Sequence, residues 1–82
     1  MKVFSVTAFI SEEKCGPISR FVATVRRNGV MHQTTGPAMR PTVLATLAAA
    51  YPEACPTTID FDTVPGEDLQ INFASCTMVT HH

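Results

Sequence analysis

The sequence predicts an α+β domain: a single β-sheet of about five strands, in the order β-β-β-α-β-β, with one helix packed on one face. Three observations carry this. Apolar and polar residues alternate in several short stretches, Asn28-Gly29 joins two of them with the strongest short-range hairpin signal, and an Ala/Leu-rich stretch between prolines repeats at helical spacing. The 82 residues form one domain, 1–82, close to the size at which an apolar core supplies only a few kcal/mol. Self-association through an open sheet edge is one way to add to that.

The first strand runs from Lys2 to Ile10, with Phe4, Val6, Ala8 and Ile10 on one face and Ser5 and Thr7 on the other. Residues 11 to 19, SEEKCGPIS, have three charges, a Gly-Pro pair and no periodicity, which predicts a loop or wide connection. Arg20 to Arg27 forms the second strand, and Val30 to Thr35 returns antiparallel to it. A two-residue turn sets the register: Arg27 faces Val30, Arg26 faces Met31, Val25 faces His32 and Thr24 faces Gln33.

Gly36-Pro37 ends the hairpin, and Pro41 suits the first turn of a helix running to Tyr51, with Leu44, Leu47, Ala48 and Tyr51 at helical spacing. Pro52 and Pro56 stop it. In TTIDFD, Ile59 and Phe61 point inward and Asp60 and Asp62 outward, and Val64-Pro65-Gly66-Glu67 supplies a turn. Leu69, Ile71 and Phe73 alternate in a last strand whose phase slips at Ala74, a bulge or strand end.

Charged residues are 16% of the chain and the net charge is −1, so neither the basic excess of a phosphate binder nor the acidic excess of a DNA mimic is present. The three cysteines, Cys15, Cys55 and Cys76, are far apart and odd in number, which suits reduced thiols in a cytoplasm. The opening MKVFSVTAFIS is a poor signal peptide, and no apolar run approaches the length of a membrane span.

Four of the seven acidic residues, Asp60, Asp62, Glu67 and Asp68, fall in one short stretch. Strand alternation puts Asp60 and Asp62 on one face about 7 Å apart, near enough to share a cation. The buried spacing of Ile59 and Phe61 already accounts for that pattern, and a solvated strand is the favoured reading. Zinc needs four ligands, which Cys15, Cys55, Cys76, His32 and the terminal His81-His82 do not supply with paired spacing. Cys55 and Cys76 read as small buried hydrophobes and Cys15 as a loop thiol. Nucleophilic catalysis needs a Cys or Ser beside His32, which requires neighbouring strands. No catalytic residue, metal site or cofactor is expected. Arg20 and Arg26 share a face without interleaved aromatics, so a nucleic acid platform is unsupported.

The order of an opening strand, a Gly-Pro loop, a hairpin through VRRNGV, an Ala/Leu-rich helix and a strand ending in TIDFDT resembles the first half of the ribonuclease H-like fold over residues 3–63. The resemblance implies a metal site with an Asp on the first strand, a Glu on the helix and an Asp ending the fourth strand. Only Asp62 matches. The first strand offers Ser5, Thr7, Phe9 and Ser11, and the helix has no acid, so the implied relative is shortened and non-catalytic. In type, the chain also resembles small accessory proteins of bacteriophages and mobile elements, including inhibitors of host defence.

The resulting expectation is a non-enzymatic protein-binding module, an inhibitor or adaptor acting by steric occlusion. Its contact residues are the hairpin tip, Arg26, Arg27, Asn28 and Met31, or the acidic turn, Asp60, Asp62, Glu67 and Asp68. Its rivals are a ribonuclease H-like nucleic-acid-binding or metal-dependent nuclease domain and a homo-oligomeric structural component.

Overall fold

A computed structural model describes residues 2–63 and 68–76, with Asp62 and Thr63 by backbone alone. The elements are β1 (Val3–Cys15), β2 (Ile18–Arg27), β3 (Val30–Gly36), α1 (Met39–Ala50), a short 3₁₀ turn (Pro56–Thr58), β4 (Asp60–Thr63) and β5 (Asp68–Ala74). The strands form one antiparallel sheet in the order β3-β2-β1-β5-β4. α1 carries the chain from one sheet edge to the other, and β5 returns inside β4 to pair with β1. The Val64-Pro65-Gly66-Glu67 turn lies outside the described residues.

The hairpin at Asn28-Gly29 has the expected register, Arg27 to Val30 and Val25 to His32 included. Both turn residues sit at positive φ, 52° and 79°, as a type I′ turn requires. Residues 11 to 19 are not a loop. β1 continues to Cys15, Gly16-Pro17 turns the chain, and β2 starts at Ile18, with Cys15 opposite Ile18. Gly16 takes φ +66° and the proline ring holds φ near −65°, the sign pair of a type II′ turn.

This β1–β2 hairpin outruns its neighbours. β5 stops pairing at Phe9 and β3 at Phe21, so the last residues form a two-stranded arm exposed on both faces. A segment wet on both faces needs no alternation of apolar and polar side chains, which is why its sequence lacks the strand pattern. A cross-strand ion pair, Arg20 to Glu13 at 2.6 Å, spans it.

The core lies between α1 and one sheet face: Val6 and Ala8 from β1, Ala23 and Val25 from β2, Leu69, Ile71 and Phe73 from β5, and Val43, Leu47 and Ala50 from α1. Toward the C-terminal end of α1, Phe4 stacks on Phe73 at 4.9 Å and Tyr51 meets both rings. Such ring contacts favour offset or edge geometries and dominate burial in a small core.

The packed stripe of α1 differs from the expected one. Thr42, Val43, Thr46, Leu47 and Ala50 are buried, Leu44 and Tyr51 are half-buried, and Ala48 is exposed. Two threonines can face the core because each hydroxyl donates to a carbonyl one turn back: Thr42 to Ala38 at 2.6 Å and Thr46 to Thr42 at 2.8 Å. With their polar atoms satisfied, only methyl and methine groups meet the apolar layer. The helix is apolar almost all round, so leucine spacing does not reveal its buried side. β5 ends at Ala74, where the phase slip falls.

Thr42 also places the start of α1 against the end of β3. A Cβ on Gly36 would lie 2.5 Å from the Thr42 hydroxyl, which its bond to Ala38 keeps from swinging away. Gly36→Ala should therefore destabilise the fold by about 1–3 kcal/mol in urea unfolding. Most of that cost should vanish in a Thr42→Ala background, and additive effects would show that the contact does not hold the helix.

Candidate binding surface

Among the described residues, one whole sheet face has no covering element. From edge to edge, one row reads Met31, Arg26, Thr7, Gln70 and the position of Asp62. A second reads Gln33, Thr24, Phe9 and Asp68, and a third holds Ser5, Asn72 and Asp60. The middle of the face is a band of hydroxyl and amide groups that bond across strands: Gln33 donates to Thr24 at 3.0 Å and Thr7 to Gln70 at 3.2 Å. Phe9 and Met31 stand out of this band, 50% and 53% exposed.

The fold thus brings Arg26, Met31, Asp60, Asp68 and the position of Asp62 onto one face, with the cation near β3 and the acids on β5 and β4. Four strand spacings, about 19 Å, separate the two edges. Asn28 lies in the turn beyond the end of that face, and Glu67 lies outside the described residues.

Arg27 belongs to the other face. Its guanidinium donates to the Ala50 carbonyl at 2.9 Å and to both Glu53 oxygens at 2.9 and 2.6 Å, with its central carbon 4.3 Å from the centre of the Tyr51 ring. The cation closes the C-terminal end of α1, where unpaired carbonyls and the helix dipole favour positive charge. It is a structural clamp between β2, α1 and the segment after α1.

Arg27 donating to its carboxylate, helped by Glu53's own backbone N–H, holds the Glu53 pKa at about 2, down from 4.5. A carboxyl whose folded pKa is depressed adds stability that is present above its unfolded value and lost as pH falls to the folded one. Both side chains remain about a third exposed, so solvent screens the pair. Glu53→Gln should be less stable than the parent at neutral pH. The difference should close between about pH 4.5 and pH 2, and a pH-independent difference would mean that charge does not hold the clamp.

The carboxylates do not converge. β5 lies between β4 and β1, so the position of Asp62 is two strand spacings, about 10 Å, from the first strand. Among the described residues no group of three or more His, Cys, Asp or Glu is placed to hold a metal ion. His32 is half-buried on β3, and β2 and β1 separate it from the strand that leads to Cys76.

Cys55 and Cys76 are not buried hydrophobes: Cys55 is half-exposed and Cys76 exposed, like Cys15 at the end of the arm. They meet because Ala54 and Ser75 form an isolated antiparallel bridge, with Cys55 N–H donating to Ala74 and Cys76 N–H to Glu53, both at 2.8 Å. The proximity of the Cys76 thiol, with the Thr57 hydroxyl 3.6 Å from the Cys55 sulfur, lowers the Cys55 pKa, and Cys55 raises that of Cys76. No spacing rule finds this pair, since it depends on the strand end after β5. Phenylarsine oxide, which bridges adjacent thiols, should block Cys55 and Cys76 together. Cys55→Ser should abolish the bridging and Cys15→Ser should not, as read by mass spectrometry of the adduct.

Compared with known proteins, the chain matches no family model, no curated protein and no solved structure. Among the described residues no helix is long and apolar enough to cross a membrane.

Proposed function

We propose that the chain is a non-enzymatic protein-binding module that docks another protein on its uncovered sheet face and acts, as an inhibitor or adaptor, by steric occlusion. The observation that supports this reading is the exposure of Phe9 and Met31 in the middle and at one side of a face flanked by Arg26 and by Asp60 and Asp68. The solvated face of an antiparallel sheet is predominantly polar, so a large aromatic at its centre stands out. Aromatic, Met and Arg side chains are the types enriched where proteins touch, and charges at the margins steer and orient a partner. The arm extends the same surface, with Ile18 66% exposed near its tip.

The test is affinity capture from lysate of the source cell, followed by mass spectrometry, with a Phe9→Arg, Met31→Glu double variant as control. The variant should unfold at the parent temperature, because both side chains are solvated, and should lose the captured partner by more than about tenfold. Equal recovery by parent and variant would reject this face.

One observation favours self-association as a second reading. β3 is an edge strand of seven residues without Lys, Pro or any formal charge, the kind of edge that adds another strand. Antiparallel pairing about its midpoint sets Gln33 opposite its own copy. Sedimentation should show a dimer that Gln33→Lys dissociates by placing like charges face to face. A parent that stays monomeric at all concentrations would exclude it.

A further inference from the structure

The groove between α1 and the segment that follows it belongs to neither the open sheet face nor the β3 edge. Its volume is about 460 Å³, within the range of small-molecule sites. Leu44, Ala45 and Ala48 form one wall, and Pro52, Ala54, Pro56 and Ile59 the other. Both walls are largely apolar for identifiable reasons. The α1 wall is the part of the helix left over when Thr42 and Thr46 turn inward, so its side chains are aliphatic. In the opposite wall, two of the residues are prolines, which have no backbone N–H to lose water when a ligand enters.

Of the described residues lining the groove, Arg40 alone carries a charge. Its guanidinium lies 4.8 Å from the centre of the Phe61 ring. Stacking on an aromatic face holds the plane of the guanidinium while leaving its N–H edge able to donate two parallel hydrogen bonds to a carboxylate. A single cation in the lining of an otherwise mainly apolar groove matches an anionic head with a hydrocarbon tail.

We infer that this groove binds a small organic carboxylate with an aliphatic tail, the carboxylate on Arg40 and the tail between Leu44, Ala48 and Ile59. Each further methylene that enters the slot tightens binding about fourfold until the slot is full. The site is independent of the protein-docking face, and either can fail without the other.

Calorimetric titration of the whole protein with octanoate, octanol and butanoate, each below its aggregation concentration, tests it. Octanoate should bind saturably at one per chain, about tenfold or more tighter than octanol, which lacks the charge, and than butanoate, which lacks the tail. Arg40→Gln should bring octanoate down to the affinity of octanol and leave octanol unchanged. Ala48→Phe should fill the slot and abolish both, with thermal unfolding unchanged because Ala48 faces solvent. Absence of saturable octanoate binding, equal affinity for octanol and octanoate in the parent, or binding that survives Ala48→Phe would each overturn the inference.

Discussion

One helix, about 10 Å across, cannot cover a sheet of five strands that is about 19 Å wide. The other features of this molecule are responses to that mismatch. α1 lies mainly over β2 and β3, next to the edge it leaves, and brings Val43, Leu47 and Ala50 to the core. On the other side, Ile59 and Phe61 pack against the core from the return segment, and Phe4, Tyr51 and Phe73 fill the end where α1 stops. Between the helix and that return segment the apolar groove stays open. On the reverse side of the sheet no element among the described residues covers it, and its middle is built from hydroxyls and amides that bond to one another.

So narrow a core puts weight on the polar contacts that hold its pieces in place. Arg27 ties β2 to the last carbonyl of α1 and to Glu53, and the bridge between Ala54 and Ser75 ties the segment after α1 to the end of β5. Thr58 accepts from the Ala74 N–H at 2.8 Å and fixes the 3₁₀ turn to the same strand end. These contacts fall at one end of the molecule. At the opposite end the arm has only its own strand pairing and the ion pair of Arg20 with Glu13, an exposed bridge of the class worth little to stability. One end is braced and the other projects, as expected of a chain that spends its apolar residues on one short core.

Much of this was legible in the residues, and the illegible parts share a cause. Asn28-Gly29 defined a register that the structure reproduces pair by pair, because a two-residue turn leaves no freedom. Leu69, Ile71 and Phe73 showed a half-buried strand by alternation. Alternation reports burial on one face only, so it was silent about the arm, which is wet on both. Helical spacing found Leu47 and Tyr51 but put Ala48 inward and missed Thr42 and Thr46, because threonines that bond backward pass for polar in sequence and for apolar in space. Arg27, expected at a partner contact, instead turns to the helix side, and its partners Ala50 and Glu53 lie 23 and 26 residues on and left no local sign. The insertion of β5 between β1 and β4, which parts the acids from the first strand, is a matter of topology that no single stretch encodes. The groove and the thiol pair depend on the same long-range placement.

The central claim is that one face of the sheet has no cover among the described residues. Hydroxyl-radical footprinting of the dilute protein, read residue by residue by mass spectrometry, tests it directly, since Phe9 and Met31 lie on that face while Phe73 and Leu47 lie in the core. The account predicts rapid oxidation at Phe9 and Met31 and protection at Phe73 and Leu47. Protection of Phe9 and Met31 to the level of Phe73 in a monomeric sample would contradict it.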